Sequence, residues 1–302
     1  MNIKRKIFLG SRKSNLAKKQ ASLVKSCLLD KGINDVYEKH ITSLGDNVGL
    51  KEFKLNGGKG MFTKEIDNLL INKEIDLAVH SAKDIPAIFD KRIKIAAFLP
   101  REDIIDVLVT KDFSIKSILD IKKNIKFGSS SPRRVNYLKR LFSFAKFINI
   151  RGNIESRIKK VRENKIDATL LALAGIQRLA LSYNDINFIK IPTNLILPAP
   201  GQGAIAIMCR KDDKEIIEIC KKIDHKNTRI EVSAERSFIK KINGNCFTPL
   251  AAFAKIKGRM LEINGSLFST DGKDFSKARV IGSLKDPFKV GEDCAKKILK
   301  GL

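Results

Sequence analysis

The sequence predicts an α/β chain built as two successive strand–helix units, followed by a smaller α+β domain. Three features carry this expectation. Apolar strand-like runs alternate with helix-period segments from "KIFLGSR" to "GIQRLA", the grammar of helices covering a parallel or mixed sheet. Repeatedly a strand ends in a polar or glycine-rich turn that opens a helix, as in "GSRKSN", "GSSSPRR" and "RGNIES". Beyond "LPAPGQGAIAIMCRK" the alternation gives way to two helices and a set of strands of period two.

The elements follow in order. "KIFLGSR" is a strand, and a helix over residues 14–31 gathers Leu16, Gln20, Leu23, Val24, Cys27 and Leu28 on one face, with Gly32 as its stop. The strand-like "VYEKHITSLGD", the loop "NGGKGMF", a helix over residues 63–72 and the apolar strand "IDLAVHS" complete the first unit. The second contains "DVLVTK", a helix "SIKSILDI", the strand "NIKFGSSS", and a helix "RRVNYLKRLF" with Ser131 as N-cap and Pro132 at its first position. "KFINIRGN" precedes a helix capped by Asn153, then the buried strand "IDATLLALAG" and a helix carrying Arg178. "LPAPGQGAIAIMCRK" has the composition of a strand returning to the first sheet. The helices "KEIIEICKKI" and "RIEVSAERSFIKKI", the strands "LAAFAKIKG", "MLEINGSLFS" and "SKARVIGSL" with a turn at Asp271–Gly272, and a terminal helix form the last domain. The expected boundaries are 1–100 with 195–217, 101–194, and 218–302.

With 302 residues the chain has room for two or three domains of about 100–200 residues. The five cysteines are odd in number and show no C-x-x-C pair, which argues against a disulfide framework or a zinc site and for a reduced, cytoplasmic setting. No apolar run reaches the ~18 residues of a membrane span, and the N-terminus lacks the ~7–15-residue apolar core of a signal peptide. The formal charge of +26 could suit a polyanion, yet only 16 of the 59 basic residues are arginine and the lysines are scattered along helices. Tryptophan is absent, aromatics reach 7 %, and no nucleic-acid recognition motif appears.

Arginine is more informative because Arg12, Arg133, Arg134, Arg151, Arg157 and Arg178 crowd into Ser/Gly/Asn loops at helix starts, where guanidinium forks suit carboxylate or phosphate. "VHSAKDIPA" is either a strand end turning toward Pro86 or a setting that places Asp84, with Ser81 and Lys83, at the ligand edge of the sheet. His80 reads as a core residue, and His40 and His225 lack metal partners at motif spacing. "NGGKGMF" lacks the Walker spacing, so Lys59 is either a surface lysine or a cation poised over an anionic ligand. Cys27, Cys209, Cys220 and Cys294 sit in apolar periodic runs, where a thiol acts as a small hydrophobe. Cys246, in "GNCFTPL", has no such explanation.

Taken together, "GSRKSNLA" (10–17), "GGKGMF" (57–62), "DLAVHSAKDIP" (76–86), "PRED" (100–103), "GSSSPRR" (128–134), "RGNIESR" (151–157), "LALAGIQRL" (171–179), "PAPGQGA" (198–204) and "AERSF…GNC" (234–246) resemble the porphobilinogen deaminase (hydroxymethylbilane synthase) family. The resemblance implies two lobes like type II periplasmic-binding-protein domains plus a small C-terminal α+β domain. It implies a transferase of haem and tetrapyrrole biosynthesis that condenses four porphobilinogen molecules head to tail onto a dipyrromethane primer, releasing ammonia and the linear hydroxymethylbilane. In that pattern Cys246 carries the dipyrromethane cofactor through a thioether. Asp84 is the catalytic carboxylate, offsetting positive charge as ammonia leaves to give an electron-poor azafulvene. Ser81, Lys83, Asp84, Ser129, Ser131, Arg133 and Arg134 fall at cofactor-binding positions. Arg12, Gln20, Lys59, Phe62, Arg151, Arg157 and Arg178 fall at substrate-binding positions, with Lys59 on a lid loop. A cytoplasmic monomer acting on a small molecule is implied, without metal, nucleic acid or membrane.

Three positions depart from the family pattern: Asn245 where glycine usually precedes the cysteine, Pro132 where leucine is usual, and Ile105 where arginine is frequent. Asn tolerates left-handed backbone and Pro suits a first helical position, so only the missing arginine puts a secondary carboxylate contact in doubt. A rival expectation is a solute-binding or effector-sensing protein of the same two-lobed build. It accounts for the anion loops but not for the cysteine loop or the third domain.

Overall fold

The computed structural model describes residues 5–42, 63–122, 124–245, 247–269, 272 and 274–301. The expectations for Lys59, Phe62, Cys246 and Asp271 therefore lie outside the described residues.

The chain opens with β1 (Ile7–Arg12), α1 (Asn15–Leu29), β2 (Val36–Ile41), α2 (Lys64–Ile71), β3 (Leu77–Ser81), a single 3-10 turn at Ala82–Asp84, and β4 (Ile93–Phe98). It continues with β5 (Asp106–Thr110), β6 (Lys126–Gly128), α3 (Pro132–Leu141), β7 (Lys146–Ile148), α4 (Ile154–Arg162), β8 (Ala168–Ala172), α5 (Leu173–Arg178) and β9 (Asn187–Ile191), and then β10 (Ile205–Arg210) and α6 (Lys214–Lys221). The last part is α7 (Lys226–Ile242), β11 (Leu250–Lys257), β12 (Met260–Phe268), β13 (Phe275–Ser283) and α8 (Pro287–Leu299).

Two five-stranded sheets share one plan. Their orders are β2-β1-β3-β10-β4 and β7-β6-β8-β5-β9. In each, three parallel strands are followed by an antiparallel strand wedged before the last: β10 between β3 and β4, and β5 between β8 and β9. Each wedged strand arrives from the neighbouring sheet, so the chain crosses between the sheets twice. The returning strand expected at "GAIAIMCRK" is thus β10, buried along its whole length. Apolar clusters cover both faces of each sheet, as strands buried on both faces require.

Side-chain caps set the helix starts. Ser14 accepts from the Ala17 amide, Ser131 from Arg134 and Asn153 from Ser156, satisfying amides that a helix end leaves open. Where the sequence predicts a helix over residues 114–121, the structure has one 3-10 turn, Ile118–Asp120. The Asp120 carboxylate accepts from the Lys116 and Ser117 amides and Ser117 Oγ from Leu119, so side chains take the donors and the turn ends there. The strand expected through residue 175 stops at Ala172, because its partner β5 begins opposite it at Asp106.

The small third domain is an antiparallel meander, β11-β12-β13, covered by α7 and α8 around a core of its own. Ala251 and Phe268 also join the core of the second sheet, and Tyr137 Oη meets Ser266 Oγ at 2.6 Å. Among the described residues no helix is long and apolar enough to cross a membrane.

Candidate active site

A cleft of about 1600 Å³ opens between the two sheets. Arg12, Gln20, Ser81, Lys83, Asp84, Ser129, Ser131, Arg133, Arg134, Arg151, Arg157 and Arg178 all line it. The described neighbours of position 246, Asn245 and Phe247, line it too. Among the described lining residues nine are basic and a single one, Asp84, is acidic. Such a field selects anions.

The fold explains the convergence. Arg12 ends β1, Ser81 ends β3, and Ser129 to Arg134 run from the end of β6 into the first turn of α3. Arg151 precedes α4 and Arg157 lies within it, while Arg178 closes α5. Carboxyl ends of strands and helix N-termini together make this the anion-binding edge of both sheets. Gln20 reaches from α1 to Ser81, its Nε2 donating to Oγ at 2.9 Å.

Asp84 stands at the end of the turn after β3. The turn is pressed from behind by Gly201, whose φ of +74° and lack of a side chain are both required: a Cβ there would sit 2.9 Å from Ala82 C and Lys83 N. Lys83 meets solvent in the cleft yet has protein around it. Burial lowers its ammonium to about 8, opposed by Asp84 and reinforced by Arg134.

Arg133 and Arg134 are not open forks, contrary to the expectation from their loop. Each is ion-paired to buried Asp106, at 2.8 and 2.7 Å, and each donates to a backbone carbonyl, Leu197 O at 2.6 Å and Leu170 O at 2.8 Å. Burial alone would raise the Asp106 carboxyl, but the two arginines outweigh it and hold the group well below the usual range. Asp106 was missed in the sequence, where the one signal is an acid opening the apolar run "DVLVT". Gln202 was missed as well; its Nε2 donates to Asp106 Oδ1 at 3.0 Å and to Ile104 O at 2.6 Å.

Two further cations are tied to backbone carbonyls. Arg157 Nε donates to Gly152 O at 2.9 Å, and burial with Arg134 and Arg151 nearby lowers its guanidinium to about 10. Arg178 Nη2 donates to Gly203 O at 2.5 Å, while its Nε and that of Arg134 are buried without a hydrogen-bond partner. These unmet donors and the lowered guanidinium values mark a site that gains when carboxylates enter.

Two lobes of like topology around a cationic cleft, with an extra domain presenting a loop to it, define an anion-handling enzyme rather than a bare binding module. Residues 7–218 match the family model "porphobilinogen deaminase, dipyromethane cofactor binding domain", and residues 229–300 match "porphobilinogen deaminase, C-terminal domain". The chain belongs to the porphobilinogen deaminase family, enzymes of tetrapyrrole synthesis by head-to-tail condensation. It is 37 % identical over 299 residues to the porphobilinogen deaminase of Syntrophomonas wolfei, covering 98 % of this chain and 96 % of that one. With the Clostridium acetobutylicum protein of the same name it shares 36 % over 98 % of this chain and 99 % of the relative. Among solved structures it is similar to substrate-binding domain 2 of Lactococcus lactis GlnP, with a TM-score of 0.45 and 11 % identity over 72 % of this chain and 88 % of that one.

The cleft fits a polycarboxylated dipyrromethane. Among the described lining residues nine cations face one acid, and the unmet donors on Arg134 and Arg178 suit acetate and propionate arms.

Proposed function

We propose that this chain condenses four porphobilinogen molecules head to tail on a dipyrromethane joined to Cys246 by a thioether, and then releases the tetrapyrrole by hydrolysis. In this division of labour, segments 1–100 with 195–217 and 101–194 form the cleft, and 218–302 carries the cysteine. The bound group supplies the pyrrole end onto which each new unit is joined. Arg133, Arg134, Ser129, Ser131, Ser81 and Lys83 hold its carboxylates. Arg12, Gln20, Arg151, Arg157 and Arg178, with Lys59 and Phe62, receive the incoming pyrrole. Asp84 accepts hydrogen bonds from pyrrole N–H groups and offsets the positive charge that grows as ammonia departs. Its carboxylate can also carry the proton that leaves the ring.

The observation that carries this reading is a single acid against nine cations among the described lining residues of the cleft. Cations anchor the arms, and one fixed negative charge is left where positive charge develops. On this reading the enzyme is a cytoplasmic monomer that takes porphobilinogen, rather than nucleic acid or a membrane, as its partner. Intact-mass spectrometry is the direct test. The protein should exceed its sequence mass by one dipyrromethane unit, and Cys246→Ser should lack both adduct and activity. An unmodified, fully active wild type refutes the assignment.

A further inference from the structure

Two consecutive side chains of α7, Glu235 and Arg236, leave the helix in different directions and converge on the turn that carries Asp84. Glu235 is fully buried. Its Oε2 accepts from the Gly201 amide at 2.6 Å and from Arg101 at 3.0 Å, and its Oε1 accepts from Arg101 at 2.7 Å and the Ala254 amide at 2.8 Å. Gly201 is the residue that presses on Ala82 and Lys83. Arg236 meets the segment directly after that turn. Its Nη1 donates to Ile85 O at 3.2 Å, and its Nη2 to Pro86 O at 2.8 Å and Ala87 O at 3.4 Å. The guanidinium lies over the Phe89 ring, 5.5 Å from its centroid.

Those three carbonyls belong to the residues that immediately follow Asp84. They lie outside any helix or strand, so no ladder fixes them. Among the described residues no carboxylate pairs with Arg236, and burial lowers its guanidinium to about 10. A desolvated cation without a counter-ion is a poor packing element. Here both of its terminal amino groups donate to one irregular backbone segment.

We propose that Arg236 is a positioning residue for the condensation: it fixes the backbone beyond Asp84 so that the carboxylate keeps its place in the cleft relative to the loop that leaves α7. This rests on the assignment of Asp84 above. α7 ends at Asn243, in left-handed conformation, and Asn243, Gly244 and Asn245 line the cleft. One helix thus sets both the carboxylate and the start of the cysteine loop.

The test uses the full-length, cofactor-loaded enzyme as Arg236→Met, Arg236→Lys, Asp84→Asn and the Arg236→Met/Asp84→Asn double variant. Arg236→Met should keep the cofactor mass and the melting temperature, exchange amide hydrogens faster across residues 85–89, and lose about ten- to a hundred-fold in kcat with KM for porphobilinogen unchanged. Arg236→Lys should recover part of the loss. In the Asp84→Asn background the Met substitution should cost nothing more, because its effect passes through Asp84. Unchanged kcat, unchanged exchange over 85–89, a loss confined to melting temperature or KM, or a loss that adds to that of Asp84→Asn overturns the proposal while leaving Asp84 in place. Normal turnover of Asp84→Asn alone removes the group being positioned and overturns both. If Arg236→Met does not fold, Arg236→Lys decides: a loaded, folded enzyme with lowered kcat supports the role, and wild-type kcat rejects it.

Discussion

The two lobes share one sheet plan but face the cleft with opposite equipment. At its strand ends the second lobe presents Arg133, Arg134, Arg151, Arg157 and Arg178, several of them tied by internal partners. The first presents Arg12, Lys83 and Asp84, the one acid among the described lining residues, which stands on a turn flanked by Gly201 and followed by a segment bonded to Arg236. The same topology thus yields an anion grip on one side and a charged working group on the other. Topology positions strand ends; the few residues beyond each strand decide what the ends do.

The sharpest way to break this comparison is at Asp84. Asp84→Asn keeps the shape but loses the charge, and turnover should fall on the order of 10²–10⁴-fold, as for loss of a positioned acid–base group. Asp84→Glu keeps the charge one methylene away, so it should assemble cofactor and turn over slowly. Rates of ammonia or bilane formation, with melting curves, check both. Near-wild-type turnover of the Asn variant would return Asp84 to a turn-forming residue ahead of Pro86.

Substitutions on the gripping side should act on binding and should differ among themselves. Arg151→Leu removes a charge-assisted contact and should weaken cofactor assembly or substrate binding by roughly 1.5–3 kcal/mol, with little change in melting. Arg134→Leu also strips Asp106 of one of its two buried counter-ions, so stability should fall too, by up to about 3–5 kcal/mol. Denaturant titration alongside cofactor occupancy separates the two. Equal stability losses in both variants would erase the distinction between an arginine paired to Asp106 and one outside that pair.

The smallest effect should be seen in pH. With the ammonium of Lys83 lowered to about 8 by burial, it is charged below that pH and neutral above it. Carboxylate binding should weaken as pH rises through about 8, and Lys83→Arg, charged throughout, should flatten that limb of the profile. The sign for folding is opposite. The unfolded chain binds the proton more tightly, so this residue's contribution to stability should improve as pH rises from about 8 toward the ordinary lysine value. A binding profile flat across this range in the wild type would show that Lys83 does not contact carboxylate.

Which parts were legible follows from the reach of each interaction along the chain. Ser131 and Asn153 could be read as caps because a cap is settled within four residues. The sheet units could be read because period and glycine placement are local. Asp106 could not, since its meaning depends on Arg134, 28 residues away. Arg236 could not either, because its carbonyl partner Ile85 lies 151 residues off. The helix expected at 114–121 failed on local competition: Ser117 and Asp120 are as ready to close a short turn as to cap a helix. Arg133 and Arg134 do line the cleft, but their internal acid was invisible from their own loop.

The wedged strands also constrain the order in which the chain can fold as it emerges from the ribosome. β4 hydrogen-bonds only to β10 within its sheet, and β10 begins at Ile205. A nascent chain shorter than that has β3 and β4 separated by an empty strand position, even though every other strand of the first sheet has been made. The second sheet is built from the uninterrupted run of β5 to β9 and is complete earlier. The topology therefore lets the middle sheet be completed before the amino-terminal one, the reverse of the usual N-terminal-first sequence of domain folding during synthesis.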